Sequence, residues 1–188
     1  MKKATLYILL TIAFFSCKNK QNPDVLYDKA LLPVIDSALS FAENQSLLMA
    51  KKYENQEGRL PRTYEDEKDV SSDSRWWCSG FFPGTLWYLY ENSKNAEMLR
   101  YAKLYTDRVE REKYTTNNHD VGFMLYCSFG NGLRNTGEER YKEVLMTGAK
   151  SLATRYRSNI GLIRSWDHNK ENWQYPVIID NIMNLELL

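Results

Sequence analysis

The sequence has almost no net charge of either sign. Its 25 lysines and arginines face 24 aspartates and glutamates, a formal net charge of +1. A chain this balanced offers no basic surface to nucleic acid and no charged face to a membrane. It also lacks an apolar run that would span a bilayer. The apolar stretch near the start, Ala4 to Phe15, is twelve residues without a charge, where a spanning helix takes about 20. Strand patterns are nearly absent: only Gly161-Leu162-Ile163-Arg164 has the character of a core strand. Cysteine is scarce, with three in all. An exported chain permits a disulfide between Cys78 and Cys127, and two buried thiols satisfy the sequence equally well.

What is present begins with an address. Lys2 and Lys3 precede the short apolar stretch, and Ser16-Cys17 follows it. A basic start, a short apolar run and a small residue directly before Cys predict a bacterial lipoprotein signal, residues 1–17, ending at a lipidated Cys17. Phe14 and Phe15 depart from the strict form of that pattern. The expected location is the periplasm, on a lipid anchor, with a soluble secreted or periplasmic protein as the alternative. Loss of residues 1–16 leaves 23 basic and 24 acidic side chains. Residues 18–24 read as a polar tether, and 25–188 as the folded domain.

Helical spacing then dominates. Leu31, Ile35, Ala38 and Ala42 share a face of a first helix over about 25–53. Residues 54–75 are polar and irregular, and are expected to be a long loop. Runs near 80–91 and 120–135 are apolar almost all round, whereas 95–113 and 138–157 carry one apolar stripe opposite charges. Gly130 and Gly132 weaken the run they sit in, and Gly137 suits its C-terminal stop. Alternation of buried and amphipathic helices predicts an all-α fold of the (α/α)6 toroid type, built from helical hairpins. Five helices and part of a sixth can be counted, so the chain is expected to hold roughly the N-terminal half of such a toroid. The inner helices, with Phe81, Phe82, Leu86, Trp87, Phe123, Met124 and Phe129, are then expected to lack half of their partners. On that ground residues 17–188 alone are not expected to form a working enzyme.

Two aspartates open apolar runs: Asp120 in Asn118-His119-Asp120-Val121-Gly122-Phe123-Met124, and Asp180 in Ile178-Ile179-Asp180-Asn181-Ile182-Met183-Asn184-Leu185. Asp is a strong N-cap, so each could serve only to bind first-turn N–H groups. Yet two carboxylates brought to one cavity are also the equipment for acid/base work on a sugar. Trp77, Trp166 and Trp173 fall in the loops at the same end of the expected barrel. Indole faces stack on pyranose rings, although a tryptophan there can equally plug the barrel mouth.

Taken in order, Trp77-Cys78-Ser79-Gly80-Phe81-Phe82-Pro83-Gly84, His119-Asp120-Val121-Gly122-Phe123 and Ile179-Asp180-Asn181-Ile182-Met183-Asn184-Leu185 resemble the unsaturated glucuronyl hydrolases of glycoside hydrolase family 88. The resemblance covers about residues 25–188. It implies an (α/α)6 barrel and removal of a terminal 4,5-unsaturated uronic acid from lyase-generated oligosaccharides. The acid/base would be Asp180, assisted by Asp120, with Trp77, His119 and Trp166 lining the sugar site. It calls for no metal and no cofactor. Two alternatives stand beside it: an unsaturated rhamnogalacturonyl hydrolase acting on pectin fragments, and a non-catalytic glycan-binding lipoprotein.

Overall fold

A computed structural model describes residues 29–188, so the expectations for residues 1–17, Cys17 included, and for the tether lie outside the described residues. The chain divides into two compact units, residues 1–37 and 38–188. Of the first, the structure shows a single 3-10 turn, Lys29–Leu31, and the opening of helix α1, Leu32–Tyr53. The second unit holds the rest of α1 and everything after it. Among the described residues no helix is long and apolar enough to cross a membrane.

Within the second unit, helix α2 (Phe81–Ser93) and helix α3 (Ala96–Asp107) form the first complete hairpin. Asn95 caps α3 by accepting from Glu97 N and Met98 N, the ordinary solution for an exposed helix start. A 3-10 turn, Glu110–Tyr114, follows. The run from 121 to 136 is helix α4 (Val121–Leu125), a π turn (Tyr126–Gly130) and helix α5 (Asn131–Thr136). It stops at Gly137, whose φ of 68° only glycine adopts freely. Helix α6, Glu139–Ala153, is the amphipathic partner. The chain closes with a short helix α7, Asn181–Asn184, and a 3-10 turn, Leu185–Leu187. The expected alternation is present: α2 and 121–136 pack on α3 and α6.

The core sits between these layers. Trp87, Leu86, Met98, Tyr105, Met124, Phe129 and Leu152 are wholly buried, and each such side chain contributes roughly 1.5–3 kcal/mol of transfer free energy. Phe82 meets Tyr105 edge to face at 4.9 Å, and Phe129 meets Tyr141 at 5.3 Å. Trp87 Nε1 donates to Thr106 Oγ1 at 2.8 Å, which ties α2 to α3. This corrects in part the expectation that the inner helices would lack half of their partners. Leu86, Trp87, Met124 and Phe129 are covered from within this chain, because their outer faces already meet α3 and α6. Of the seven side chains expected to lack partners, Phe81 is 40% exposed and Phe82 and Phe123 are partly buried, and Tyr88, Tyr126, Ile179, Ile182 and Met183 are exposed as well.

The supposed loop 54–75 is also corrected. It contains an antiparallel hairpin, β1 (Leu60–Glu65) and β2 (Lys68–Ser72), with an irregular register between Pro61 and Thr63. Asp66 and Glu67 form its tip with φ of 48° and 57°. Buried Leu60 anchors the hairpin, and Arg108 binds the carbonyls of Tyr53, Glu54 and Arg59 at its base. The expected strand at 161–164 exists as β4, Leu162–Ile163, paired with β3, Tyr156–Arg157. The amphipathic runs end earlier than expected, at Asp107 and Ala153.

Candidate active site

The site begins with a turn that the sequence encodes locally. Asn118 Oδ1 accepts from Asp120 N at 2.6 Å, an Asx turn. His119 N–H donates to Ser165 O at 2.8 Å, and Asn118 pairs with Trp166 as an isolated antiparallel bridge. The 118–119 turn is thereby fixed to the 165–166 loop.

Asp120 and Asp180 occupy the N-cap positions of α4 and α7, but neither carboxylate accepts a first-turn N–H. For α4 the capping oxygen comes from the other helix: Asn184 Oδ1 accepts from Phe123 N at 2.7 Å. Gly122 allows that approach. A Cβ there would lie 2.3 Å from Asn184 O and 2.6 Å from its Cα. The start of α4 is thus pressed against the end of α7, and the Asp120 carboxylate does not cap α4.

What it meets instead is His119. The imidazole is 2% exposed. Its Nε2 lies 3.5 Å from Asp120 Oδ1 and 3.7 Å from Asp180 Oδ2. The three groups place ligand-type atoms within 4.8 Å of one another, and no other His, Cys, Asp and Glu cluster among the described residues does so. On the far side of the ring, Nδ1 is 2.6 Å from Asn181 Oδ1. Asp180 Oδ1 is buried without a hydrogen-bond partner among the described residues. Burial raises the pKa of Asp120 above the ordinary carboxylate value. The His119 ring opposes that rise, the Asp180 charge adds to it, and Asn184 and Arg155 oppose it more weakly.

Arg155, 4% exposed, holds the surrounding loops. Its guanidinium donates to Arg164 O at 2.6 Å and Thr116 O at 2.5 Å, and pairs with Asp167 at 3.2 Å. Beside Asp120 opens a cavity of about 440 Å³, lined by Asn117, Asn118, Asp120, Trp166, Asp167 and His168. Trp166 stacks on His168 with centroids 5.4 Å apart and meets Trp173 edge-on at 6.1 Å. Its Nε1 is buried without a partner among the described residues.

The structure therefore brings together His119, Asp120, Asp180 and, across the cavity wall, Trp166. Trp77 is 42% exposed. That ring packs edge-on against Phe81 at 5.5 Å and tilts over Phe123 at 6.2 Å. Sequence reasoning assigned no role to Asn181, Asn184, Ser165 or Arg155. The available signal was the Asp180-Asn181-x-x-Asn184 spacing, which puts two buried amides on the first turn of a helix already of interest. Cys78 and Cys127 are free thiols.

No family model matches the chain. A curated unsaturated glucuronyl hydrolase of Formosa agariphila is 47% identical over 116 residues, which are 61% of this chain and 29% of that protein. An unsaturated chondroitin disaccharide hydrolase of Streptococcus pneumoniae is 27% identical over 132 residues, 68% of this chain and 33% of the relative. Among solved structures, an unsaturated glucuronyl hydrolase specific for heparin superposes with a TM-score of 0.72 at 40% identity, covering 81% of this chain and 42% of that one. The Bacillus sp. GL1 enzyme superposes at 0.68 with 24% identity, over 79% and 41% of the two chains, a likeness in fold. The chain spans less than half the length of each of these relatives. On the ordered motifs, the alternating helices and these likenesses together, the chain is similar to part of the unsaturated glucuronyl hydrolases of glycoside hydrolase family 88 and has the fold of part of their (α/α)6 toroid.

Proposed function

We propose that this site serves to remove the terminal 4,5-unsaturated uronic acid from lyase-generated oligosaccharides of the glycosaminoglycan type. One observation supports it most: Asp120 and Asp180 sit at helix starts without capping them, and both face one buried imidazole. Carboxylates that served only as caps would be bound to backbone N–H groups. The names of the relatives point the same way.

The C4=C5 bond of such a sugar is an enol ether, so the reaction begins with proton transfer rather than attack at the anomeric carbon. Asp180 delivers the proton to C4. Positive charge develops at C5 and the ring oxygen, and water adds its oxygen at C5 while a carboxylate takes the water's proton. The resulting hemiketal collapses and releases the saturated sugar. Asp180 is the assigned donor because its Oδ1 has no other partner among the described residues. Asp120 assists. Burial favours its protonated form, so the cluster retains a proton more readily than two solvated carboxylates would. Trp166 walls the cavity with an apolar ring suited to a pyranose face.

The test is Asp180→Asn in a protein carrying this segment at the full length of the relatives, followed by the ultraviolet absorbance of the enol ether. Loss of a general acid lowers turnover by about 10²–10⁴-fold. Parental turnover in a variant with an unchanged melt refutes the assignment. Binding of the oligosaccharide by the parent without loss of absorbance would instead indicate a glycan-binding protein.

A further inference from the structure

The least explained group at the site is Asn181, 6% exposed and one residue past Asp180. Its Nδ2 donates to Ile163 O at 2.8 Å and to Ser165 Oγ at 3.1 Å. A backbone carbonyl only accepts, so the amide nitrogen must face Ile163, and that fixes the amide's orientation. Oδ1 is then the atom 2.6 Å from His119 Nδ1. An amide oxygen also only accepts, so the hydrogen between them belongs to Nδ1. This leaves Nε2 as the ring's open position, and it faces Asp120 Oδ1 and Asp180 Oδ2. A bare lone pair aimed at two carboxylate anions would be repelled by both. One proton, on Nε2 or on either Asp, turns the repulsion into hydrogen bonding.

We propose that Asn181 is a positioning residue that holds His119 with its hydrogen on Nδ1, so that Nε2 relays a single proton between Asp120 and Asp180. In the absence of this lock the two carboxylates would draw a permanent hydrogen onto Nε2, and the ring could donate to them but not accept. The relay role rests on the hydrolase reading. The tautomer does not.

The test separates the two roles of Asn181 with two variants. Asn181→Leu and Asn181→Asp both lose the donation to Ile163 O, but only Leu removes the acceptor facing Nδ1. Nitrogen-15 imidazole spectra of the 188-residue chain should show His119 carrying its hydrogen on Nδ1 in the parent and in Asn181→Asp. In Asn181→Leu the hydrogen should move to Nε2. In a protein carrying this segment at the full length of the relatives, Asn181→Leu should lower kcat by at least about 10-fold with little change in KM, and Asn181→Asp should recover most of the loss. A hydrogen on Nε2 in the parent, an unmoved tautomer in Asn181→Leu, or equal kcat losses in the two variants would overturn the proposal. If Asn181→Leu does not fold, the tautomer in the parent and in Asn181→Asp still decides it. Absence of turnover in every protein, parent included, would count against the hydrolase reading and leave the tautomer result standing.

Discussion

Replacing Gly122 by alanine tests the contact on which the site geometry depends. In an ordinary helix the change is favourable, by about 1 kcal/mol, because glycine is the poorer helix former. Here the added Cβ would lie 2.3 Å from Asn184 O, 2.6 Å from Asn184 Cα and 2.7 Å from Asn184 Oδ1. Two of those atoms are backbone and cannot rotate away, so α7 must move off α4 by roughly an ångström to restore contact distances of 3.5–4.0 Å for carbon atoms. Overpacking of this kind costs about 1–3 kcal/mol. The same movement pulls Asn184 Oδ1 away from Phe123 N, and loss of an N-cap adds about 0.5–2 kcal/mol. With the helix gain subtracted, Gly122→Ala should destabilise the chain by about 0.5–4 kcal/mol. Each kcal/mol corresponds to about 2–4 °C in Tm for a protein of this size. Asn184→Ala, which loses the cap without the clash, should fall by less. The assay is a urea or thermal melt of the three proteins side by side. An alanine variant as stable as the parent, or more stable, would show that the start of α4 does not touch Asn184 in solution and would remove the basis for the carboxylate spacing.

Three further outcomes follow from other features. The pKa of Asp120 is raised above its ordinary value of 3.8, so the protonated form's contribution to stability is complete below about pH 3.8 and is lost as pH rises through the higher folded-state value; Asp120→Asn should therefore be more stable than the parent at neutral pH and show a flatter stability profile, and a variant that is less stable there would contradict the burial. Burial pushes the Cys127 thiol up to about 11, so Cys127 should alkylate far more slowly than a free cysteine at pH 8, and rapid labelling counted by mass spectrometry would refute that. Because Cys17 follows a short apolar run and a serine, we propose a lipid anchor on it; radiolabelled palmitate should be incorporated by the parent and not by Cys17→Ala, and label retained in that variant would end the idea.

Much of the architecture was legible because helix type shows in composition. Leu86 and Trp87 lie in a run that is apolar all round, whereas Tyr101 and Tyr105 recur at helical spacing among charges, and the two patterns separate inner from outer helices. The β1–β2 hairpin was not legible. Its tip uses Asp66-Glu67 in left-handed conformation instead of the Asn-Gly or Asp-Gly pair that marks such turns, and its strands read as polar loop. The π turn at 126–130 was hidden as well, since its five residues continue the apolar pattern on either side. In the site, Asp120, His119 and Asp180 stood out by charge and position. Asn184 and Ser165 did not. Their importance lies in bonds to Phe123, 61 residues away, and to Ile178, 13 residues away, and a neutral side chain in a single sequence carries no mark of such a partner.

The exchanged cap joins two processes that are separate in most enzymes. In an isolated helix, the first turn frays without reference to anything else. Here the first turn of α4 takes its capping oxygen from Asn184, four residues past Asp180, whose carboxylate lies 3.7 Å from His119 Nε2. The bond that completes the first turn of α4 is therefore also one that holds α7, and Asp180 with it, against the His119 turn. A substitution at Asn184 therefore acts on the start of the helix and on the spacing of the carboxylates at once.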